Sequence, residues 1–315
     1  MTAVPGLRHT EHTRVVHAPP GPLYDVVADV TLWPAVFGPT VHAVRLEGDG
    51  DSERIRLWAT VNGQVSDWVS RRTLDADGRT VGFEQEVSTA PVASMGGEWL
   101  FRELDGGRTE VVLRHHFTVV ADEPSAVAWV HEALDRNSAA ELAALARIVE
   151  TGQPPREIVF SFTDTLALSG SPEAAYEFVA RADLWPERLP HVAGVTLTET
   201  APGVQDLRME TATADGSTHT THSVRVCRRP EWIAYKQLVT PDLLLGHSGL
   251  WTFGEGPDGP FATASHTVAL NPEAVSRVLG AGRTIADARR QVRELLGANS
   301  RTTLSHAAGQ EAPAR

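Results

Sequence analysis

The sequence predicts an α+β protein of two tandem domains, each a curved antiparallel sheet wrapped around a long C-terminal helix with an internal cavity. Three observations lead to this fold class. A chain of 315 residues is long enough for two hydrophobic cores of ordinary size. Its two halves share several short motifs in the same order. Within each half, segments of strand-like alternation precede one long segment of helical periodicity.

The shared motifs are the clearest organisational signal in the chain. YDVVA at 24–28 recurs as YEFVA at 176–180, and Leu-Trp-Pro at 32–34 recurs at 184–186 with the same displacement. A displacement of about half the chain indicates duplication of a whole domain, because solenoid repeats are much shorter.

Each copy begins with a strand and two short helices. The strands are predicted near residues 9–17 and 158–168, and the Pro-Gly-Pro or Ser-Pro-Glu that follows each of them is typical of a helix start. About six alternating segments come next, as in an antiparallel meander. Asn62-Gly63 and Asp77-Gly78 are the strongest hairpin signals among them.

A long helix closes each copy and sets the domain boundaries. Helical periodicity runs from about Pro124 to Glu150 in the first copy and from about Pro272 to Leu304 in the second. After the first long helix, a Gly and two Pro indicate a linker. After the second, the Ala, Gly and Pro of the C-terminus indicate disorder. The predicted organisation is a helix-grip domain at 1–150, a linker at 151–157, a second helix-grip domain at 158–304 and a disordered tail at 305–315.

Composition limits the class of function. The formal net charge of −12 argues against a nucleic-acid partner, since phosphate contacts need a basic surface. No long apolar run is present, so no membrane-spanning helix is expected. The single cysteine, Cys227, excludes an intrachain disulfide and fits a cytoplasmic protein. Local basic patches for an acidic partner protein are expected from Arg71, Arg72 and Arg79, or from Arg283, Arg289, Arg290 and Arg293.

Side-chain alternation predicts the wall of a cavity in the first copy. Successive side chains of a strand point to opposite faces, so one face of each strand must line the space under the long helix. A sheet that holds a helix across its open face leaves such a cavity, and a ligand site is the default expectation. The side chains expected to line it are Trp68, Ser70, Phe83, Gln85, Met95, Trp99 and Asn137.

Three polar residues are predicted to reach the same cavity from separate elements. His115 alternates with Leu113 and Phe117 on the apolar face of its strand, Arg72 lies on the inner face of another strand, and Glu141 lies on the inner stripe of the long helix. Arginine can stabilise an enolate, and histidine can transfer protons near neutral pH, with a carboxyl to orient it or share the task. The alternative is a structural Arg–Glu ion pair beside a hydrogen-bonded histidine.

Other site chemistries have little support in the sequence. His219 and His222 lack the carboxylates or cysteines that would complete a metal site, so no metal is expected. No phosphate-binding loop, dinucleotide fingerprint or hydrolase nucleophile motif is present, and no cofactor is expected.

Several motifs of the first copy resemble one enzyme family. WVSRR at 68–72, TAP at 89–91, MGGEW at 95–99, LRHHF at 113–117 and RNSAAEL at 136–142 occur in this order. Together they are similar to the aromatase/cyclases of bacterial type II polyketide synthases, members of the START / Bet v 1-like helix-grip superfamily. The resemblance covers nearly the whole first copy, and the duplication points to the two-domain subclass.

The resemblance implies a cofactor-independent reaction on a poly-β-ketone held by an acyl carrier protein, alongside other synthase components. The first ring would close by aldol condensation (C7–C12) and lose water to become aromatic, in aromatic polyketide (antibiotic) biosynthesis. By analogy, Arg72 would polarise a carbonyl or bind the enolate, and His115 would move protons. Glu141 lies where the family has an assisting Asp, so its longer side chain departs from the pattern.

The second copy retains part of this set. Arg225 corresponds to Arg72, His266 to His115 and Thr303 to Glu141. Because the carboxyl is missing there, we expect the chemistry in the first copy. A homodimer is compatible with the exposed helices and edge strands that this fold presents.

Two other functions fit the same fold. One is a helix-grip protein that binds a lipid or another hydrophobic ligand without turnover. The other is a scaffold that shapes the polyketide through a basic patch such as Arg289 and Arg290. Fold alone does not separate these readings, so the enzyme interpretation depends on the family-like motifs.

Overall fold

A computed structural model describes residues 6–212 and 218–309, without the side chains of residues 212, 218 and 219. The chain divides after Glu157 into two compact units. The predicted α+β class and the tandem helix-grip arrangement are confirmed. No helix among the described residues is both long and apolar enough to cross a membrane.

The first unit is a seven-stranded antiparallel sheet with three helices. The helices are α1 (Pro20–Ala28), α2 (Trp33–Val36) and α3 (Pro124–Val149), with 3₁₀ turns at Val30–Leu32 and Val120–Asp122. The strands are β1 (Arg8–Val16), β2 (Thr40–Gly48), β3 (Ser52–Val61), β4 (Gln64–Asp75), β5 (Thr80–Val87), β6 (Val92–Leu104) and β7 (Arg108–Val119). Their order in the sheet is β1-β7-β6-β5-β4-β3-β2, a meander whose first strand pairs with its last.

The turns and the long helix form where the sequence signals lie. Asn62 and Gly63 both have positive φ, as a tight hairpin turn between β3 and β4 requires. Helix α3 has Pro124 at its first position, where the missing N–H removes no bond. Its apolar stripe packs against the sheet, and Leu145 and Ile148 are fully buried.

The second unit repeats this topology. Its sheet order is β8-β14-β13-β12-β11-β10-β9. The strands are β8 (Val159–Ala167), β9 (Val192–Ala201), β10 (Val204–Ala212), β11 (Thr218–Arg228), β12 (Trp232–Val239), β13 (Leu244–Gly256) and β14 (Gly259–Leu270). Helix α4 (Pro155–Ile158) spans the division between the units. The helices of the second unit are α5 (Pro172–Ala180), α6 (Trp185–Arg188), α7 (Val275–Leu279) and α8 (Ile285–Ala307), with 3₁₀ turns at Ala182–Leu184 and Pro272–Ala274.

The predicted continuous helix from Pro272 to Leu304 is wrong, because the chain breaks between α7 and α8. Gly280 and Gly282 have positive φ, a conformation that ends a helix. Thr284 then starts α8 with a capping box: its hydroxyl accepts the Asp287 N–H, and the Asp287 carboxylate accepts the Thr284 N–H. The glycines and the Thr-x-x-Asp pattern are the sequence signals of this helix break, but the apolar periodicity on both sides of them favoured one continuous helix.

The predicted tail boundary at Ser305 is also wrong. Helix α8 continues to Ala307, and Ala308 is buried and donates its N–H to the Leu304 carbonyl. Burial of this last turn outweighs the poor local composition, since most helical stability in proteins comes from packing. Residues 310–315 of the predicted tail lie outside the described residues.

Candidate active site

A cavity lies between the sheet and α3 of the first unit. Its wall is largely apolar and aromatic, and it includes all three polar residues singled out from the sequence, Arg72, His115 and Glu141. The seven residues expected to line it are all present in the wall: Trp68, Ser70, Phe83, Gln85, Met95, Trp99 and Asn137. The site is therefore assembled from β4, β5, β6, β7 and α3.

His115 enters the cavity wall from the middle of β7. Its ring stands edge-on to Phe83, with ring centroids 5.5 Å apart. Within the described part of the chain its Nδ1 is buried without a hydrogen-bond partner. Burial, with smaller contributions from His12 and His116, lowers the pKa of His115 to about 3. The imidazole is therefore neutral at pH 7.

Glu141 faces the same cavity from α3. It is partly accessible, and no hydrogen bond or ion pair to another described residue holds its carboxyl group. Burial raises the pKa of Glu141 to about 8. The carboxyl is therefore mostly protonated at pH 7 and able to donate a proton. No hydrogen bond joins it to His115, so the orienting role considered for Glu141 is not what the geometry provides.

Arg72 lies in the wall at the end of α1 and is only 1% exposed. Its Nη2 donates to the carbonyls of Val27 (2.9 Å) and Ala28 (3.0 Å), at the negative end of the helix dipole. The guanidinium also lies over the Trp33 ring, 5.0 Å from its centroid. Nε and Nη1 are buried without hydrogen-bond partners among the described residues. Nη1 lies within ion-pair distance of Glu53, so Nε is the donor left for a ligand.

The acidic partner of Arg72 is Glu53, a residue that the sequence analysis missed. Glu53 Oε1 lies 3.2 Å from Arg72 Nη1, and its Oε2 accepts a hydrogen bond from Arg45 Nε. The buried Arg–Glu ion pair of the structural alternative is therefore present, but its acid is Glu53 and not Glu141. Burial lowers the pKa of Arg72 to about 10, while Glu53 opposes this shift. The signal was the alternation of β3, which puts Glu53 on the same face as Ile55.

Two further polar groups in the wall have internal partners. Asn137 Nδ2 donates to the Thr60 carbonyl (3.2 Å), and Ser88 Oγ donates to Gln85 Oε1 (2.8 Å). These contacts tie α3 to β3 and fix the end of β5. One atom of each amide group is therefore engaged within the protein.

The second unit keeps an arginine at the equivalent place but not its ion pair. In the strand register, Arg225 of β11 lies opposite Gln205 of β10, just as Arg72 of β4 lies opposite Glu53 of β3. Arg225 donates to the Val179 carbonyl (2.6 Å). Gln205 instead donates to the carbonyl of Ala180 (3.4 Å).

His266 differs from His115 in having partners on both ring nitrogens. Its Nδ1 lies 3.0 Å from His247 Nε2 and 3.2 Å from the Tyr235 hydroxyl, and its Nε2 lies 2.8 Å from Ser300 Oγ. The ring also stacks on Phe162, with centroids 4.9 Å apart. Neighbouring side chains thus occupy the positions that a substrate would need.

Thr303 does not replace Glu141 chemically. Its hydroxyl donates to the Asn299 carbonyl one turn earlier in α8 (3.1 Å). The second unit therefore has a neutral residue opposite its arginine, a histidine whose two ring nitrogens are both hydrogen-bonded, and no carboxyl group at the third position.

The arginine clusters differ in how far nearby carboxylates neutralise them: Arg283 and Arg290 share Asp287, and Arg293 and Arg301 share Asp164. Arg72 is buried, and Arg71 pairs with Glu86 (2.7 Å). In the second unit, Arg290 pairs with Asp287 (2.6 Å) and Arg293 with Asp164 (2.7 Å). Within the described part of the chain, the arginines of α8 thus outnumber the carboxylates they contact, and the scaffold function that relied on such a patch stays a prediction.

Comparisons with a family model and with curated proteins all point to one enzyme family. The family profile "Polyketide cyclase / dehydrase and lipid transport" matches residues 8–150. The chain is 57% identical to the granaticin polyketide synthase bifunctional cyclase/dehydratase of Streptomyces violaceoruber, over 96% of this chain and 94% of that protein. It is 53% identical to the actinorhodin counterpart of Streptomyces coelicolor, over 98% of this chain and 99% of that protein.

Two solved structures share the whole di-domain architecture. The di-domain ARO/CYC BexL is 47% identical with a TM-score of 0.79, covering 98% of this chain and 99% of that one. The di-domain ARO/CYC StfQ from the steffimycin biosynthetic pathway is 35% identical with a TM-score of 0.78, covering 95% and 97%.

Proposed function

Given that the chain belongs to the family of polyketide synthase bifunctional cyclase/dehydratases, we propose that its first unit closes and dehydrates the first ring of a poly-β-ketone held by an acyl carrier protein. Cyclisation and dehydration are the reactions of this family, and the chain is an enzyme of that kind. The proposal adds the substrate's carrier, the C7–C12 ring pattern, and the residues that do the work.

Ring closure begins with loss of a proton from a methylene between two ketones. Such hydrogens are already acidic, so orientation and enolate stabilisation matter more than a strong base. His115 takes the proton, and the free Nε–H of Arg72 stabilises the enolate oxygen. The enolate carbon then attacks the distant ketone, forming the C–C bond. Glu141 donates its proton to the oxygen that becomes the ring hydroxyl.

Dehydration uses the same two groups after their protons are redistributed. The His115 imidazolium returns a proton to the Glu141 carboxylate through the substrate or a water molecule, which restores both starting forms. His115 then removes the second hydrogen of the same ring carbon, while Glu141 protonates the departing hydroxyl, which leaves as water. Enolisation of the remaining ring ketones completes aromatisation. No oxidant or cofactor is needed, because ring closure, loss of water and enolisation leave the overall oxidation state unchanged.

One observation carries the proposal. Around a single apolar cavity, His115 Nδ1 and Arg72 Nε have no hydrogen-bond partner among the described residues, and the Glu141 carboxyl makes no ion pair there. Buried polar groups are normally hydrogen-bonded, so these atoms indicate a ligand that completes them. In the second unit both nitrogens of His266 are occupied by neighbours. We therefore assign catalysis to the first unit and support to the second.

The proposal extends to the surroundings of the enzyme. It places the protein in the cytoplasm with the other components of a type II polyketide synthase, and it is compatible with a homodimer. The lone Cys227 is in keeping with a reducing compartment.

Reconstitution with a minimal polyketide synthase and its carrier protein tests the proposal. The measured quantity is the ratio of a single cyclised product to spontaneous shunt products, by mass spectrometry and NMR. The wild type should raise this ratio, His115→Ala should lose the effect, and folded His266 variants should keep it. A shunt mixture that wild-type enzyme leaves unchanged would favour a ligand-binding protein instead.

A further inference from the structure

We infer that Glu53 is a positioning residue for this reaction: it holds the Arg72 guanidinium in the one orientation that leaves Nε–H for the substrate oxygen. The inference rests on the role proposed above for Arg72. Glu53 itself is absent from the cavity wall and acts only through the arginine.

The geometry fixes the guanidinium from two sides. On one side Nη2 is held by the carbonyls of Val27 and Ala28 at the end of α1. On the other side Nη1 faces the Glu53 carboxylate at 3.2 Å, from the directly opposite position of β3. A planar group held at both terminal nitrogens cannot rotate about its long axis. Nε therefore keeps a constant direction.

Burial makes this contact a strong constraint. Glu53 is 4% exposed and Arg72 is 1% exposed, so water cannot substitute for either partner. Separating such a pair leaves an uncompensated charge in a low-dielectric interior. Glu53 also keeps a second partner, because Arg45 binds its other oxygen from β2. The carboxylate is thus held in place independently of Arg72.

The second unit provides a natural comparison. At the same register Gln205 lies opposite Arg225, and no carboxylate among the described residues pairs with that arginine. The strand pairing is nevertheless the same as in the first unit. A glutamine at this position is therefore compatible with the fold, which makes Glu53→Gln a suitable variant. Gln205→Glu, outside the proposed catalytic site, is the reciprocal control.

The test is a double-mutant cycle between Glu53 and Arg72. The assay is the ratio of cyclised to shunt products, measured against enzyme concentration, with folding checked by thermal unfolding. Glu53→Gln should lower the plateau of this ratio about tenfold, while the half-saturating enzyme concentration stays within about twofold, because positioning affects the chemical step. Arg72→Gln should lower the plateau at least as much. The double variant should match Arg72→Gln alone, since Glu53 has nothing left to position. Gln205→Glu should leave the ratio unchanged.

A spectroscopic measurement tests the orientation without the reaction. The Arg72 Nε–Hε resonance, assigned by its loss in Arg72→Gln, should shift and broaden in Glu53→Gln and stay unchanged in Gln205→Glu. The inference would be overturned if the resonance did not shift in Glu53→Gln. It would also be overturned if the fold loss of the double variant equalled the product of the fold losses of the two single variants. Should Arg72→Gln lose activity while Glu53→Gln retains it, only the inference about Glu53 fails. Full activity of Arg72→Gln would refute the proposed role of Arg72 as well.

Discussion

Gly97 of β6 lies directly across the sheet from His115 of β7, and the missing side chain leaves the space that the Phe83 ring occupies. A Cβ at Gly97 would lie 2.7 Å from the Phe83 ring and 2.0 Å from the Arg114 carbonyl oxygen. Strand alternation puts Gly97 on the same face as Met95 and Trp99, but the ring that crosses it is visible only in the structure.

Replacing Gly97 should therefore disturb the site through packing. Gly97→Ala should lower the free energy of unfolding by about 1–3 kcal/mol, because an extra methyl group in a filled space forces neighbours to move. Gly82→Ala in β5 is the matched control, since its nearest contact would be the Thr73 Cβ at 3.9 Å. Chemical denaturation of both variants measures the difference. Equal stabilities would contradict the steric argument.

The two equivalent histidines should differ in their contribution to stability. His266→Ala leaves His247, Tyr235 and Ser300 without their common partner, which should cost about 2–4 kcal/mol. His115→Ala should cost less than half of that, because His115 makes no hydrogen bond to a described residue. Thermal unfolding of the two variants under one condition checks the order. A larger loss for His115→Ala would refute the assignment of His266 to structure.

The reaction should depend on pH through Glu141. Since burial raises the pKa of Glu141 to about 8, its acid form is present below that pH and is lost above it. Cyclisation should therefore fall about tenfold per pH unit above pH ~8. On the acid side the pKa of His115, about 3, keeps the base neutral throughout the stable range. Because the synthase and the spontaneous reactions also depend on pH, the ratio is normalised at each pH to Glu141→Gln, which should show no basic limb of its own.

Stability should depend on pH for the same reason, with a definite sign. The folded-state pKa of Glu141, about 8, lies above its ordinary value of 4.5. Between these values the folded protein holds a proton that the unfolded chain releases, so stability is full below about pH 4.5 and declines as pH rises towards 8. Glu141→Gln removes this decline. It should be more stable than wild type by up to roughly 4 kcal/mol at pH 8, at about 1.4 kcal/mol per pH unit, and no more stable at pH 4.5. A difference that does not vary with pH would show that Glu141 ionises freely.

Much of the site was predictable from local pattern. Strand alternation and helical spacing put Arg72, His115 and Glu141 on inner faces, and the structure places all three in one cavity wall. Such periodicities need no knowledge of the register between strands. The same reasoning applied to β3 would have shown Glu53 on the inner face, but that strand carried no recognised motif.

The partners of these residues were not predictable in the same way. Whether Arg72 meets Glu53 or Glu141 depends on which residues lie opposite one another across β3 and β4 and on how far α3 stands from the sheet. A slip of one residue would turn Glu53 to the other face. The contrast between the free His115 and the saturated His266 likewise depends on side chains from three other elements.

By itself, the sequence determined the duplication, the alternation of inner and outer faces, and the polar residues available to the site, since these follow from local periodicity and repeated motifs. Only the tertiary structure decided which charges are paired and which histidine is accessible to a substrate. Those outcomes depend on long-range register and packing, and the resulting burial shifts the pKa values of His115 and Glu141 in opposite directions.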